Sequence, residues 1–141
     1  MHFTWDESMS TGLQRLDKQH QMLIQKFNEF TDILDDPNQF RETAADVLDF
    51  LQFYASWHFK QEEDCMEQYK CPIAAENKQA HEEFLAQFGN LYQRWQNGTM
   101  DVKTAQKTHE TLGIWIKNHI IETDTRLKPC LPKNHTGTLI R

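Results

Sequence analysis

Cysteine is scarce, and its three copies (Cys65, Cys71 and Cys130) form no CxxC pair. An odd number at wide spacing speaks against a disulfide framework and for a reducing, cytoplasmic setting, with Cys65 and Cys71 as inert thiols. Five glycines and four prolines are too few for a turn-rich β fold. Basic residues are outnumbered, 15 Lys and Arg against 21 Asp and Glu, so the net charge is −6 and no basic field is available to neutralise phosphates. A nucleic-acid partner is therefore not expected. No apolar run approaches the roughly 20 residues of a membrane helix. The opening MHFTWDESMS has neither a basic nor an apolar leader segment, and no secretory signal is expected. Internal repeats and low-complexity segments are also missing. What the chain does have is seven His and nine Phe within 141 residues, one domain's worth of sequence.

Four turn signals interrupt the chain: Asp35-Asp36-Pro37-Asn38, Tyr69-Lys70-Cys71-Pro72, Gln96-Asn97-Gly98-Thr99 and Lys128-Pro129-Cys130-Leu131-Pro132. Between them run four stripes stepping by three or four, the signature of helices with one inward face. The first, about 17–36, carries Leu16, His20, Leu23, Phe27, Phe30 and Leu34. The second, about 39–69, carries Phe40, Ala44, Val47, Leu51, Tyr54, His58, Glu62 and Cys65. The third, about 74–96, carries Asn77, His81, Phe84, Phe88, Leu91 and Trp95. The fourth, about 101–127, carries Val102, Ala105, His109, Leu112, Ile116, His119 and Ile120. Asp17 and Asp101 fit as caps or first-turn acids. Short connections predict an all-α, antiparallel up-down-up-down four-helix bundle over residues 1–127. Residues 1–16 form an N-terminal arm anchored by Trp5 and Leu13, and 128–141 a loose tail.

His20, His58, Glu62, Asn77, His81 and His119 do not belong in an apolar core, because a buried carboxylate must be paired, protonated or metal-bound. In helices of alternating direction, their positions along the chain put them all at one end of the bundle. His58 and Glu62 at i,i+4 share a face about 6 Å apart along the axis, as do Asn77 and His81. His119 and Asp124 are i,i+5, so Asp124 has to reach around the helix or the last turn has to distort. Taken singly, each histidine reads as an ordinary hydrogen-bonded core residue, and His58–Glu62 as an ordinary helix pair. Four imidazoles at one level with two carboxylates read as a metal site. Such a mixed nitrogen and oxygen set suits iron, with manganese or zinc as alternatives. Two ions bridged by Glu62 and Asp124 use six ligands better than one ion does. The Glu-x-x-His pairs of ferritin-like sites are absent. His109 is about 15 Å along its helix from His119 and reads as structural. His2 and His135 read as solvated, as do the acidic runs Glu62-Glu63-Asp64 and Glu82-Glu83 apart from Glu62.

Several segments together resemble the hemerythrins, specifically the single-domain bacterial type. They are Trp5, Gly12 with Leu16-Asp17-Lys18-Gln19-His20, Trp57-His58-Phe59-Lys60-Gln61-Glu62-Glu63, Pro72 followed by His81-Glu82-Glu83-Phe84, and Trp115-Ile116-Lys117-Asn118-His119-Ile120 with Asp124. The resemblance covers about residues 5–127. It implies two non-haem iron ions, bridged by Glu62, Asp124 and an oxo or hydroxo group, that bind O2 reversibly for storage, transport or sensing. It also implies His20 and His58 on the iron with an open position, and His81 and His119 on the other. Phe59, Trp115, Ile116 and Ile120 would surround the O2 pocket. A monomer is expected, and no catalytic residue is assigned. One position departs from the family pattern: its His-x-x-x-His on the third helix is Asn77-x-x-x-His81 here. Asn77 offers a carbonyl oxygen, a harder and weaker donor than imidazole, or a hold on a water ligand. Glu76, about 100° around the helix, is a poor substitute. The departure keeps a second reading open, a di-iron enzyme that reduces O2, peroxide or nitric oxide.

Overall fold

The computed structural model describes residues 2–132, without the side chains of residues 37 and 39–43, so Phe40 and His135 lie outside the described residues. Its elements are a short 3-10 turn (Glu7–Met9), α1 (Gln14–Asp35), α2 (Pro37–Gln68), α3 (Ala74–Gln96), α4 (Val102–Glu122) and a 3-10 helix (Asp124–Cys130), here called the terminal turn. The four helices pack in a ring, α1 on α2, α2 on α3, α3 on α4 and α4 back on α1. The expected all-α bundle is thus the observed fold. No helix among the described residues is long and apolar enough to cross a membrane.

Each start and stop has a local cause. Pro37 stands at the head of α2, where its missing N–H costs nothing, and the Asp36 carboxylate accepts from Asn38 N. Asp101 caps α4 by accepting from Thr104 N. Asp17 lies in the first turn of α1 and is buried. It accepts from Thr11 N (2.8 Å), Thr11 Oγ1 (2.9 Å) and Ser10 Oγ (2.7 Å), and so fastens the arm to the bundle. Trp5 and Leu13 both pack inward, on different apolar clusters.

Two boundaries differ from expectation. The fourth helix ends at Glu122 rather than 127, and the chain tightens into the terminal turn from Asp124 onward. That turn crosses residue 127, where the bundle was expected to give way to a loose tail. It stays ordered because Leu127 is fully buried and Cys130 is covalently bound to Cys71. The disulfide overturns the expectation of unbonded thiols. Cys71 and Cys130 are separated by 59 residues, yet the turn after α2 and the terminal turn meet with Cα atoms 5.5 Å apart. Cysteine spacing in sequence carries no sign of that meeting. Cys65 remains free and buried.

The core is layered. One large apolar cluster fills most of the bundle, including Leu23, Phe27, Phe30, Phe59, Phe84, Phe88, Ile116 and Ile120. A smaller one (Leu13, Leu16, Cys65, Met66, Cys71, Ile73 and Leu127) plugs one end. Three helices pass from one cluster to the other through a polar residue: α1 through His20, α2 through Glu62, α3 through Asn77 and His81. At the end of α4 the polar residues are His119 and then Asp124. The polar layer therefore sits between two dry seals.

Candidate metal centre

The structure brings all six expected polar residues together. His20, His58, Glu62, His81 and Asp124 are at most 2% exposed, and His119 is 8% exposed. The Nε2 atoms of all four imidazoles point at the two carboxylates, and each carboxylate divides its oxygens. Glu62 Oε2 lies 3.0 Å from His20 and 3.4 Å from His58, whereas Glu62 Oε1 lies 3.0 Å from His81. Asp124 Oδ2 lies 3.1 Å from His20, and Asp124 Oδ1 lies 3.1 Å from His119. Two overlapping four-donor groups result, His20–His58–Glu62–Asp124 and Glu62–His81–His119–Asp124, with the donor atoms of each within 4.8 Å of one another. Asp124 reaches this position because α4 stops at Glu122 and the backbone turns at Thr123. The last turn distorts, which is what an i,i+5 pair requires.

Groups outside the six set the imidazole tautomers. His58 Nδ1–H donates to Gln19 Oε1 (2.6 Å) and His81 Nδ1–H donates to Glu63 Oε2 (2.8 Å). Each bond leaves the Nε2 lone pair facing the layer, as metal ligation needs. Phe59 stacks on His81 at 3.9 Å between centroids, and Trp115 stacks on His119 at 4.5 Å. Glu63 is thus a partner of His81, not a merely solvated acid. The sequence expectation missed Gln19 and Glu63 because each adjoins a stripe residue on its own helix. Only the neighbouring helix shows which way they are used. The available signal was their adjacency to His20 and Glu62.

Asn77 lies inside the layer. Its Nδ2 donates to Glu62 Oε1 and to Met66 Sδ, both at 3.2 Å. Its Oδ1 is 2.7 Å from His119 Nε2, which is also 3.2 Å from His81 Nε2. Glu76 points elsewhere, to Arg126 at 3.5 Å. His109 is away from the layer, with Nε2–H donating to Phe27 O at 3.0 Å, and His2 pairs with Asp32 at the surface.

Protons cannot satisfy this layer comfortably. Burial opposes charge on His20, yet the Asp124 and Glu62 carboxylates outweigh it and raise its pKa to about 10. His81 is raised against the same burial by Glu62 and Glu63. Burial lowers His58, and Glu62 offsets that only in part. Burial alone would raise Glu62, but the surrounding imidazoles hold it well below the ordinary carboxylate range. His20 Nδ1 and Asp124 Oδ1 still make no hydrogen bond. A buried set with two anions, four imidazole nitrogens aimed inward and polar atoms left over fits cations.

Beside the layer is an apolar cavity of about 10 Å³. Its walls include Leu23, Phe59, Phe84, Trp115, Ile116 and Ile120, with His20, His58 and Asp124 at its floor. All four residues expected to surround a small-ligand pocket are in this wall.

A four-helix bundle with a buried layer of imidazoles and shared carboxylates is a metal-binding bundle. The family model for the hemerythrin HHE cation binding domain matches residues 11–131, and the chain belongs to the hemerythrin family. It is 32% identical over 125 residues to a bacteriohemerythrin of Pseudomonas paraeruginosa, covering 87% of this chain and 77% of the relative. It is 29% identical over 127 residues to myohemerythrin-1 of Phascolopsis gouldii, covering 89% of this chain and 92% of that one. A crystal structure of wild-type hemerythrin superposes with a TM-score of 0.82 at 28% identity, covering 92% of this chain and 97% of the other.

Proposed function

We propose that this hemerythrin-family chain holds two non-haem iron ions and binds O2 reversibly at one of them. The observation that carries the reading is the division of oxygens by Glu62 and Asp124 between two imidazole sets. A carboxylate that offers one oxygen to each side is built for a pair of ions and is redundant for a single one. His20 and His58 would hold one iron, His81 and His119 the other, with Glu62 and Asp124 shared. When bound, ferrous iron supplies the electrons by which O2 is taken up and given back.

The chain's own residues do the rest. Gln19 and Glu63 keep the imidazoles aimed. Phe59, Ile116 and Ile120 keep water away from the floor of the cavity, where stray protons would otherwise drive irreversible oxidation. The cavity admits a guest of about the size of a water molecule, so the site suits a diatomic ligand and excludes an organic substrate. The test is to load the protein with iron, reduce it without air, and admit and remove O2 in cycles. The expected result is two irons per chain and a visible band that appears and vanishes over repeated cycles. A single iron, or a colour change that never reverses, would sink the reading.

Asn77 favours a second reading for the same centre. It would offer an ion held by His81 and His119 an amide oxygen where a third imidazole would bind more firmly. That makes one coordination position exchangeable, which suits turnover of O2, peroxide or nitric oxide. Steady O2 consumption in the presence of excess reductant would select that reading over carriage.

A further inference from the structure

The disulfide stands where the end plug meets the polar layer. Cys71 follows the turn that closes α2, where Lys70 takes φ +51 and Cys71 N donates to Met66 O at 2.8 Å. Cys130 is the last residue of the terminal turn, and Asp124 is the first. Between them Leu127 is fully buried in the small apolar cluster with Cys71 and Met66. Met66 Sδ in turn contacts the Asn77 amide. The bond therefore clamps the segment that carries the shared carboxylate Asp124 onto the α2–α3 turn.

The two sulfurs differ in access: Cys71 is buried and Cys130 half-buried. Both lie close to one acceptor, Arg126 O, at 3.5 and 3.6 Å. That carbonyl can accept a hydrogen bond from either S–H once the bond is open, so the reduced form also has a place for its protons.

We propose that Cys71–Cys130 is a thiol–disulfide exchange site for small thiols, and that its state sets how firmly the neighbouring centre holds metal. An incoming thiolate attacks Cys130 Sγ, the accessible sulfur. The Cys71–Cys130 bond breaks, its electron pair leaves on Cys71 Sγ, and a mixed disulfide forms at Cys130. A second thiolate attacks the mixed disulfide, releasing the small disulfide and the Cys130 thiolate, and both protein thiolates take protons from solvent. The protein gains two electrons and two protons, and two small thiols become one small disulfide. The same steps in reverse close the bond. Opening the bond unpins the far end of the terminal turn, and Asp124 loses part of what holds it.

The second half of the proposal rests on the di-iron reading, so the test separates the two. Iron-loaded full-length protein is equilibrated with mixtures of reduced and oxidised glutathione, trapped with an alkylating agent and weighed by mass spectrometry, with helicity followed by circular dichroism. The expected result is reversible alkylation of Cys71 and Cys130 with helicity unchanged and Cys65 untouched. In parallel, iron transfer to an external chelator should be about tenfold faster from the open form, the scale at which groups behind a ligand act on affinity. Cys130→Ser should release iron at the fast rate at every glutathione ratio, and Cys65→Ala should keep the response. A bond that opens only when helicity is lost overturns the exchange site. Equal chelation rates from open and closed protein overturn the coupling. Iron bound by neither form overturns the di-iron reading, while the mass readout still decides the exchange site.

Discussion

Asn77 is buried inside the polar layer. Its amide is held by Glu62 and Met66, so its oxygen is presented to the His119 side of the layer. Asn77→His should replace a weak oxygen donor with an imidazole. The expected outcome is slower autoxidation and slower iron loss to a chelator, read from the decay of the oxygenated spectrum and from chelator absorbance. Equal rates would mean that Asn77 ligates as well as imidazole does. Glu63→Gln should leave the fold intact but weaken orientation of His81, lowering metal affinity about 10-fold to 100-fold in a competition titration. Five of the six polar residues were legible because each stands on a helical stripe, where periodicity alone places it inward, whereas Asp124 was reached only through its i,i+5 spacing from His119 and the family resemblance. Gln19 and Glu63 were not, since their role depends on a neighbouring helix. His109 was correctly separated from the layer by helix rise alone. Burial pushes its pKa down to about 3, so it is neutral in the fold but protonates near 6.5 when unfolded. The unfolded chain then binds the extra proton, and folding stability falls as pH drops below about 6.5, by at most roughly 1.4 kcal/mol per pH unit, until His109 itself protonates near pH 3. His109→Gln should flatten that part of the acid limb in urea titrations between about pH 6.5 and pH 4.

Among the helices, α4 departs most from its sequence pattern. The sequence carries the helix to about residue 127, yet it stops at Glu122, and Asp124 faces the same layer as His119. Periodicity could not show this, because a stripe reports which face is buried and not where the backbone gives way. The i,i+5 spacing of His119 and Asp124 did signal the conflict. A second feature of α4 was also hidden. Gly113 lies against the Phe27 ring, and a Cβ there would fall 2.0 Å from a ring carbon. Phe27 cannot easily yield, because it stacks on His109 at 3.8 Å. Glycine inside a helix ordinarily costs about 1 kcal/mol relative to alanine, so Gly113→Ala would normally stabilise. Here it should destabilise by about 1–3 kcal/mol through overpacking, measured as a lower urea midpoint at unchanged m-value. A gain in stability would show that α1 and α4 are less tightly matched than the structure indicates.

At the scale of the whole molecule, the architecture follows from composition and patterning, and the layering follows from the stripes. What no local pattern could supply was the meeting of Cys71 with Cys130 across 59 residues, a product of the closed ring of helices. Both candidate cation positions draw on distant parts of the chain. One takes His20 from α1 with His58 and Glu62 from α2, and the other takes Glu62 with His81 from α3 and His119 from α4. Both require Asp124. A chain still emerging from the ribosome therefore has no complete coordination sphere until residue 124 is free and the bundle has closed around it. Any metal held there would have to be loaded after assembly, and a chain truncated ahead of that aspartate should leave synthesis empty.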